Sequence, residues 1–329
     1  MPFPVVANSR NFEPTEKRDG IYLGSKDTDE IKRNKGLLEK ACDLFVKLIS
    51  NQDISKLQNF HILFGLGVPP DKEWLDKGWY TGLLKKLINE IINVRVLKTE
   101  NGSIIALKEG FIPNVEGLEK EKVEILWDLC CCFLTYQDKI PSRGLAFEWA
   151  KIIHGWKSLE LDLTEREITL LKLAEEIEIC GSLLGLKTKL ETDKDELGTL
   201  NDFYKLLLDL EKRGLFDNKN ILPNQNGNFK KKPELFKDEG IDEILKDISN
   251  KLGEDYRNRL LHSKISEAVQ NLLPVKKQDE ILNQVVILIK GQLSPEDSQY
   301  LQANIELFSW LLEHERFEHL EAYPLLSSR

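Results

Sequence analysis

No apolar run in the 329 residues reaches the ~18 needed for a helix to cross a bilayer, so the sequence offers no helical membrane span. Nor is there a surplus of positive charge. The formal net charge is -9, and the one basic run, Lys230-Lys231-Lys232, reads as a solvated loop. That disfavours general nucleic-acid binding, which needs clustered Lys and Arg to neutralise phosphates. A secretory leader is not expected either, because Pro2 to Pro4 leads straight into strand-like sequence. The setting implied is cytoplasmic, with neither membrane nor nucleic acid among the partners.

Catalytic and metal-binding motifs are also missing. "HERFEH", His314 to His319, has one residue more than the helical zinc signature. Residues i and i+4 share a helix face, whereas i and i+5 lie about 140° apart, so both imidazoles cannot meet one ion. "FGLGVPP", Phe64 to Pro70, has Gly65 and Gly67 but no third glycine, and Pro69-Pro70 removes two backbone donors a phosphate cradle would use. Cys130, Cys131 and Cys132 are consecutive, and neighbours on a helix point about 100° apart, so three thiolates cannot converge. With Cys42 and Cys180 they read as buried small hydrophobes. The five histidines have no Ser or Cys nucleophile in a recognised setting, and the carboxylates are scattered. No cofactor, metal or catalytic residue is nominated.

What is present is mostly helical periodicity. After a start signal at "DTDE", Leu37, Leu38, Ala41, Cys42, Phe45, Leu48 and Ile49 are read as one apolar face. Leu83, Leu84, Leu87, Ile88, Ile91 and Ile92 form a second, and "EKVEILWDLCCCFLTY" is apolar nearly all round, as for a helix at the centre of a core. Thr164 with Glu167 suggests a capping box ahead of Ile168, Leu171, Ala174 and Ile177. Further helices are expected over 200–212, 241–252, 256–273 and 279–290, and one from a cap at Ser294 to about Leu312.

Strands come as hairpins. "VRVLKTENGSIIALKEGFIP" and "NILPNQNGNFKKKPELF" each place Asn-Gly between apolar flanks, a pattern that predicts a two-residue turn with positive φ at both positions. Aligned on the turn, Leu97 matches Leu222, Ile104 matches Phe229, and Glu109 and Phe111 match Glu234 and Phe236. The offset is 125 residues throughout (Leu97 to Leu222), and each hairpin follows a helix. We read a duplicated helix–hairpin unit, against the alternative of two ordinary hairpins. The fold class is α+β, predominantly helical: a multi-helix array with short hairpins. It divides into an N-terminal α+β half, 1–160, and a second helix–hairpin half with a helical tail, 161–329. "KLETDKDELG", Lys189 to Gly198, is a further polar joint.

One stretch remains, "FPVVANSRNFEPTEKRDGIYL", Phe3 to Leu23, which reads as strand, polar loop, strand. Arg10, Lys17 and Arg18 lie in or beside its loop. A guanidinium there suits an anion, since its forked donors match phosphate, and a solvated turn is the plainer alternative. This stretch resembles the strand–loop–strand that follows the ATP-binding domain in sacsin-like proteins, of the superfamily of gyrase, ninety-kilodalton heat-shock chaperones, histidine kinases and MutL. The two Asn-Gly segments resemble helix-plus-hairpin elements further downstream in those proteins.

The superfamily's nucleotide site needs an Asn-bearing helix, an Asp-x-Gly-x-Gly turn and a Gly-rich lid, and none of these occurs in the sequence. The resemblance therefore implies a segment downstream of an ATP-binding domain in the same protein. It also implies that Arg10 or Arg18 senses the terminal phosphate, with Asn8 and Ser9 shaping the loop. Three functions follow: a non-catalytic segment coupling nucleotide state to a protein partner or client, an independent helical adaptor for proteins, or an enzyme with a dispersed site.

Overall fold

Thr28 opens the first helix as its sequence suggests, its hydroxyl accepting the Ile31 N–H at 3.4 Å and Asp29 and Glu30 filling the first turn. The structure is a computed structural model and describes residues 7, 9–51, 59–67, 69–114, 118–159, 163–191, 193–291 and 298–320. It is predominantly helical, 56% of it in 13 helices among the described residues, with small two-stranded sheets. No described helix is long and apolar enough to cross a membrane. Contacts divide the chain into Met1–Leu170 and Leu171–Arg329.

The first unit runs α1 (Asp29–Ile49), α2 (Lys77–Ile91), β1 (Arg95–Lys98), β2 (Ile104–Ala106), β3 (Ile112–Pro113), α3 (Lys120–Cys132), α4 (Arg143–Lys157) and β4 (Glu167–Ile168). One of its cores packs α1 and α2 around Trp149 and Trp156 of α4, with the Trp156 indole N–H donating to the Phe64 carbonyl at 2.9 Å. The second unit runs α5 (Leu170–Cys180), α6 (Leu183–Lys187), α7 (Glu196–Asp209), α8 (Gly214–Asn218), β5 (Leu222–Pro223) and β6 (Phe229–Lys230). It continues through β7 (Lys237–Asp238), α9 (Glu243–Lys251), α10 (Glu267–Gln270), β8 (Val275–Lys276), α11 (Gln278–Gly291), α12 (Ser298–Glu313) and α13 (Phe317–Leu320). One core joins α9, α11 and α12 through Leu245, Ile248, Val285, Leu307 and Trp310.

The two hairpins are built alike. Thr99 N–H donates to the Ser103 carbonyl at 2.8 Å, and Asn224 N–H to the Asn228 carbonyl at 2.8 Å. A 3-10 turn follows each hairpin, 107–109 and 232–234, and in each its glutamate accepts a backbone N–H, Ala106 to Glu109 and Lys231 to Glu234. β3 then pairs in parallel with β4, and β7 with β8. The next segment keeps the likeness at an offset of 120 residues (Tyr136 to Tyr256). There Phe111 N–H donates to the Lys139 carbonyl, as Phe236 N–H does to that of Arg259. Shared strand register, shared capping and shared long-range bonds make this one structural unit used twice. Its repeating part is hairpin, 3-10 turn and parallel pair. In the second unit α8 separates α7 from the hairpin, whereas α2 leads almost directly into β1.

The turns differ from expectation in one respect. Gly102 and Gly227 have φ of 84° and 80°, but neither asparagine has positive φ. Each loop instead ends on a left-handed glycine, and the polar side chains brace the turn: Asn101 Oδ1 accepts the Ser103 N–H, and Asn224 Oδ1 accepts the N–H groups of Asn226 and Asn228. Replacing either glycine by Val should cost more than ~1 kcal/mol, because a β-branched residue is strained there. An unchanged melting temperature in both variants would refute the assignment.

Four other expectations are corrected. Residues 256–273 are not one helix: Leu260 and Leu261 bridge to Phe236 and Asn224, which a continuous helix would forbid. Thr164–Arg166 is a 3-10 turn and Glu167 lies in β4, where Asn114 (2.7 Å) and Lys157 (2.8 Å) hold its carboxylate, so no capping box forms. Cys42 and Cys130 are buried, with burial pushing the Cys42 thiol up to about 12, but Cys131, Cys132 and Cys180 are only partly buried. Leu37, Ala41 and Leu48 do not share the core face of α1, which is Ile31, Asn34, Leu38, Cys42, Phe45 and Ile49. The cap expected at Ser294 lies outside the described residues.

The opening loop as candidate functional site

Pro14 and Ile21 form a single antiparallel bridge, and Thr15 N–H donates to the Gly20 carbonyl at 2.9 Å, closing the loop that carries Lys17 and Arg18. Arg18 takes φ +54°, held by its N–H donating to the Thr15 carbonyl at 2.9 Å. The Thr15 hydroxyl donates to Asp19 Oδ1 at 2.8 Å, and this bond first of all lowers the Asp19 carboxyl below its ordinary range. Ser9 shapes the approach: its Oγ accepts the Asn11 N–H at 3.1 Å and its carbonyl the Phe12 N–H at 3.3 Å. Asn8, and the first strand expected from Phe3, lie outside the described residues.

What ties this loop to the body was not visible in the sequence. Asn34, wholly buried in α1, accepts the Glu13 N–H at 2.9 Å and donates to the carbonyls of Glu13 (2.9 Å) and Tyr22 (3.1 Å). One amide thus clamps both arms of the loop to the helix. An asparagine in a helical pattern ordinarily faces solvent, and only the presence of two extended arms beside it makes burial affordable. Leu23 further pairs with Leu75 in parallel, and Lys35 of α1 meets Asp76, the cap of α2, at 3.4 Å.

Arg10 and Arg18 are both solvent-exposed, and among the described residues neither guanidinium meets a carboxylate. They do not converge on a pocket. A cleft of about 670 Å³ opens beside the loop, lined by Thr15, Lys17, Asp19, Tyr22, Lys72 and Trp74 among others, but by neither arginine. Its charges are mixed, Lys17, Lys26 and Lys72 against Glu16, Asp19, Asp71 and Glu73, so it is no anion cradle by itself. The chemistry available is that of one free guanidinium fork, Arg18, on the anchored loop and a second, Arg10, on the approach to it.

Elsewhere the discounted motifs fall apart further. "HERFEH" spans the break between α12 and α13, where His314 stacks on Trp310 at 4.1 Å between centroids, and among the described residues no group could hold a metal ion. A polar centre does occur around Lys246, which is 2% exposed and bonds Asp238 Oδ2 at 2.6 Å and Glu243 Oε1 at 2.7 Å. Gln225 of the second hairpin donates to the same Asp238 oxygen at 2.7 Å, so the cluster fastens hairpin, β7 and α9 together. Its charges satisfy one another, which reads as architecture rather than chemistry. Compared with known proteins, the chain matches no family profile, no curated protein and no solved structure, so the likeness to sacsin-like proteins rests on the quoted residues alone.

Proposed function

We propose that this chain is a non-catalytic segment that works beside an ATP-binding domain of the same protein and passes nucleotide state to a protein partner or client. The observation that supports the reading is the opening stretch: two exposed guanidinium groups without carboxylate partners among the described residues, Arg18 on a loop clamped to a 21-residue helix by Asn34 and Arg10 three residues before the first clamped arm at Glu13. Free Arg forks suit a phosphate brought to them, and a loop bonded at both arms cannot shift without straining α1. The resemblance of Phe3–Leu23 to the segment beyond the sacsin-like nucleotide domain supplies the identity of that phosphate.

The chain alone, having no Gly-rich lid and no Asp-x-Gly-x-Gly turn, should give no heat when titrated calorimetrically with Mg-ATP. Joined to the ATP-binding domain, it should raise steady-state hydrolysis by ~10³ or more, as a guanidinium that completes a phosphoryl-transfer site does. Equal rates with and without the chain overturn the proposal.

A further inference from the structure

We propose that the outward face of α1 is a docking seam for an acidic amphipathic helix of a partner protein. Leu37, Ala41, Leu44 and Leu48 follow one another at steps of four, three and four, the spacing of a coiled-coil seam. None of them belongs to the buried face of α1; Leu44 is 65% and Leu48 50% exposed. The seam lies about a quarter turn round from the core face; Leu37 and Ala41 are half-buried at its edge, while Leu44 and Leu48 stand exposed and take no part in the described core. At this spacing they would accept knobs from a second helix.

The flank of the seam states what the partner must carry. Arg33, Lys40 and Lys47 repeat every seven residues along one side of it, all exposed, in a protein of net charge -9. Arg33 meets Glu13 at 3.1 Å, but among the described residues Lys40 and Lys47 meet no carboxylate. Glu39 and Asp43 lie further round the helix, beyond the lysine row. The other flank, Leu38 and Phe45, is core. A partner helix is therefore met by positive charge on its one open side, which selects Glu or Asp there. A second copy of α1 fits badly, since antiparallel pairing about a two-fold axis sets lysine row against lysine row. The inference rests on α1 itself and holds whether or not the opening loop reads nucleotide.

The probe is a labelled peptide of about three heptads, with Leu at the seam positions and Glu at both flanks, titrated by anisotropy into the full chain. It should bind, and 0.5 M salt should weaken it (the salt figure is about a threefold rise over physiological). Leu44→Glu and Leu48→Glu should each weaken binding by about tenfold or more, because a buried leucine is replaced by a charge. Both sites are exposed enough for the variants to keep the parental melting temperature. The double variant Lys40→Glu, Lys47→Glu should lose the Glu-flanked peptide and take up a Lys-flanked one. Absence of binding, or equal binding of both peptides to the parent chain, overturns the proposal. So does a dimer in sedimentation, or binding to phosphatidylserine vesicles, that Leu44→Glu abolishes while the peptide has no effect: the face would then belong to a second copy or a lipid surface.

Discussion

Lys246→Met should lower the unfolding free energy by about 3–5 kcal/mol, the usual cost of removing one member of a buried ion pair. The ammonium is 2% exposed and meets Asp238 at 2.6 Å and Glu243 at 2.7 Å. Glu243 is largely solvated and keeps Arg257 at 2.8 Å, so it loses little. Asp238, its side chain 17% exposed, is left with the Gln225 amide and the Ile241 N–H against a largely buried charge. Denaturant unfolding of parent and variant measures the difference, and a loss below about 1 kcal/mol would show that water reaches the site.

The same pair fixes a pH dependence. Burial alone would raise the Asp238 carboxyl, but the bonds from Lys246, Ile241 N–H and Gln225 outweigh it, and its pKa falls below the ordinary 3.8. A carboxylate lowered in the folded state contributes stability above its unfolded pKa and loses it as pH falls through the folded value. In Lys246→Met burial dominates, so Asp238 gains a proton more readily and its penalty fades in acid. The gap between parent and variant should therefore be smaller at about pH 3 than at pH 7. Adding Asp238→Asn to the variant should recover part of the loss, as expected for two coupled residues.

Local signals carried most of the architecture. Thr28 before Asp29 and Glu30 announced α1, the regular leucines of α2 announced a buried helix, and Asn-Gly announced both turns. What local pattern could not carry was which apolar residue faces what. α1 holds enough apolar residues for a core face and a second stripe beside it, and periodicity merged them into one. Residues 256–273 have helical composition, yet Leu260 and Leu261 are claimed by strand partners far back in the chain. Asn34 and Lys246 are polar residues that read as solvated until their partners, at Glu13 and Tyr22 and at Asp238, are brought beside them. In the candidate site the loop was legible and its anchor was not, because a clamp made by one residue from a distant helix leaves no motif.

If the chain works beside an ATP-binding domain as proposed, Arg10→Ala or Arg18→Ala should slow ATP turnover of the joined protein by ~10³ or more, the loss typical of a guanidinium that meets the γ-phosphate. In the isolated chain the same changes should shift stability by no more than ~0.5 kcal/mol, since both side chains are exposed and neither meets a carboxylate among the described residues. Arg18 separates the roles of backbone and side chain. Its φ of +54° strains Ala as much as Arg, so Arg18→Gly should hold the loop as well or better while removing the guanidinium. If Arg18 is the sensor, Ala and Gly variants lose turnover alike although their loops differ in ease. If only the loop's shape matters, the Gly variant keeps the parental rate. Nucleotide affinity should change far less than turnover in either arginine variant, because on the proposed reading the contact would form only in the closed, hydrolysing state. Lys at either position should restore only part of the rate, since an ammonium supplies charge without the bidentate fork. Parental turnover in both alanine variants would leave the loop a junction turn held by Asn34, and the coupling would have to run through another surface.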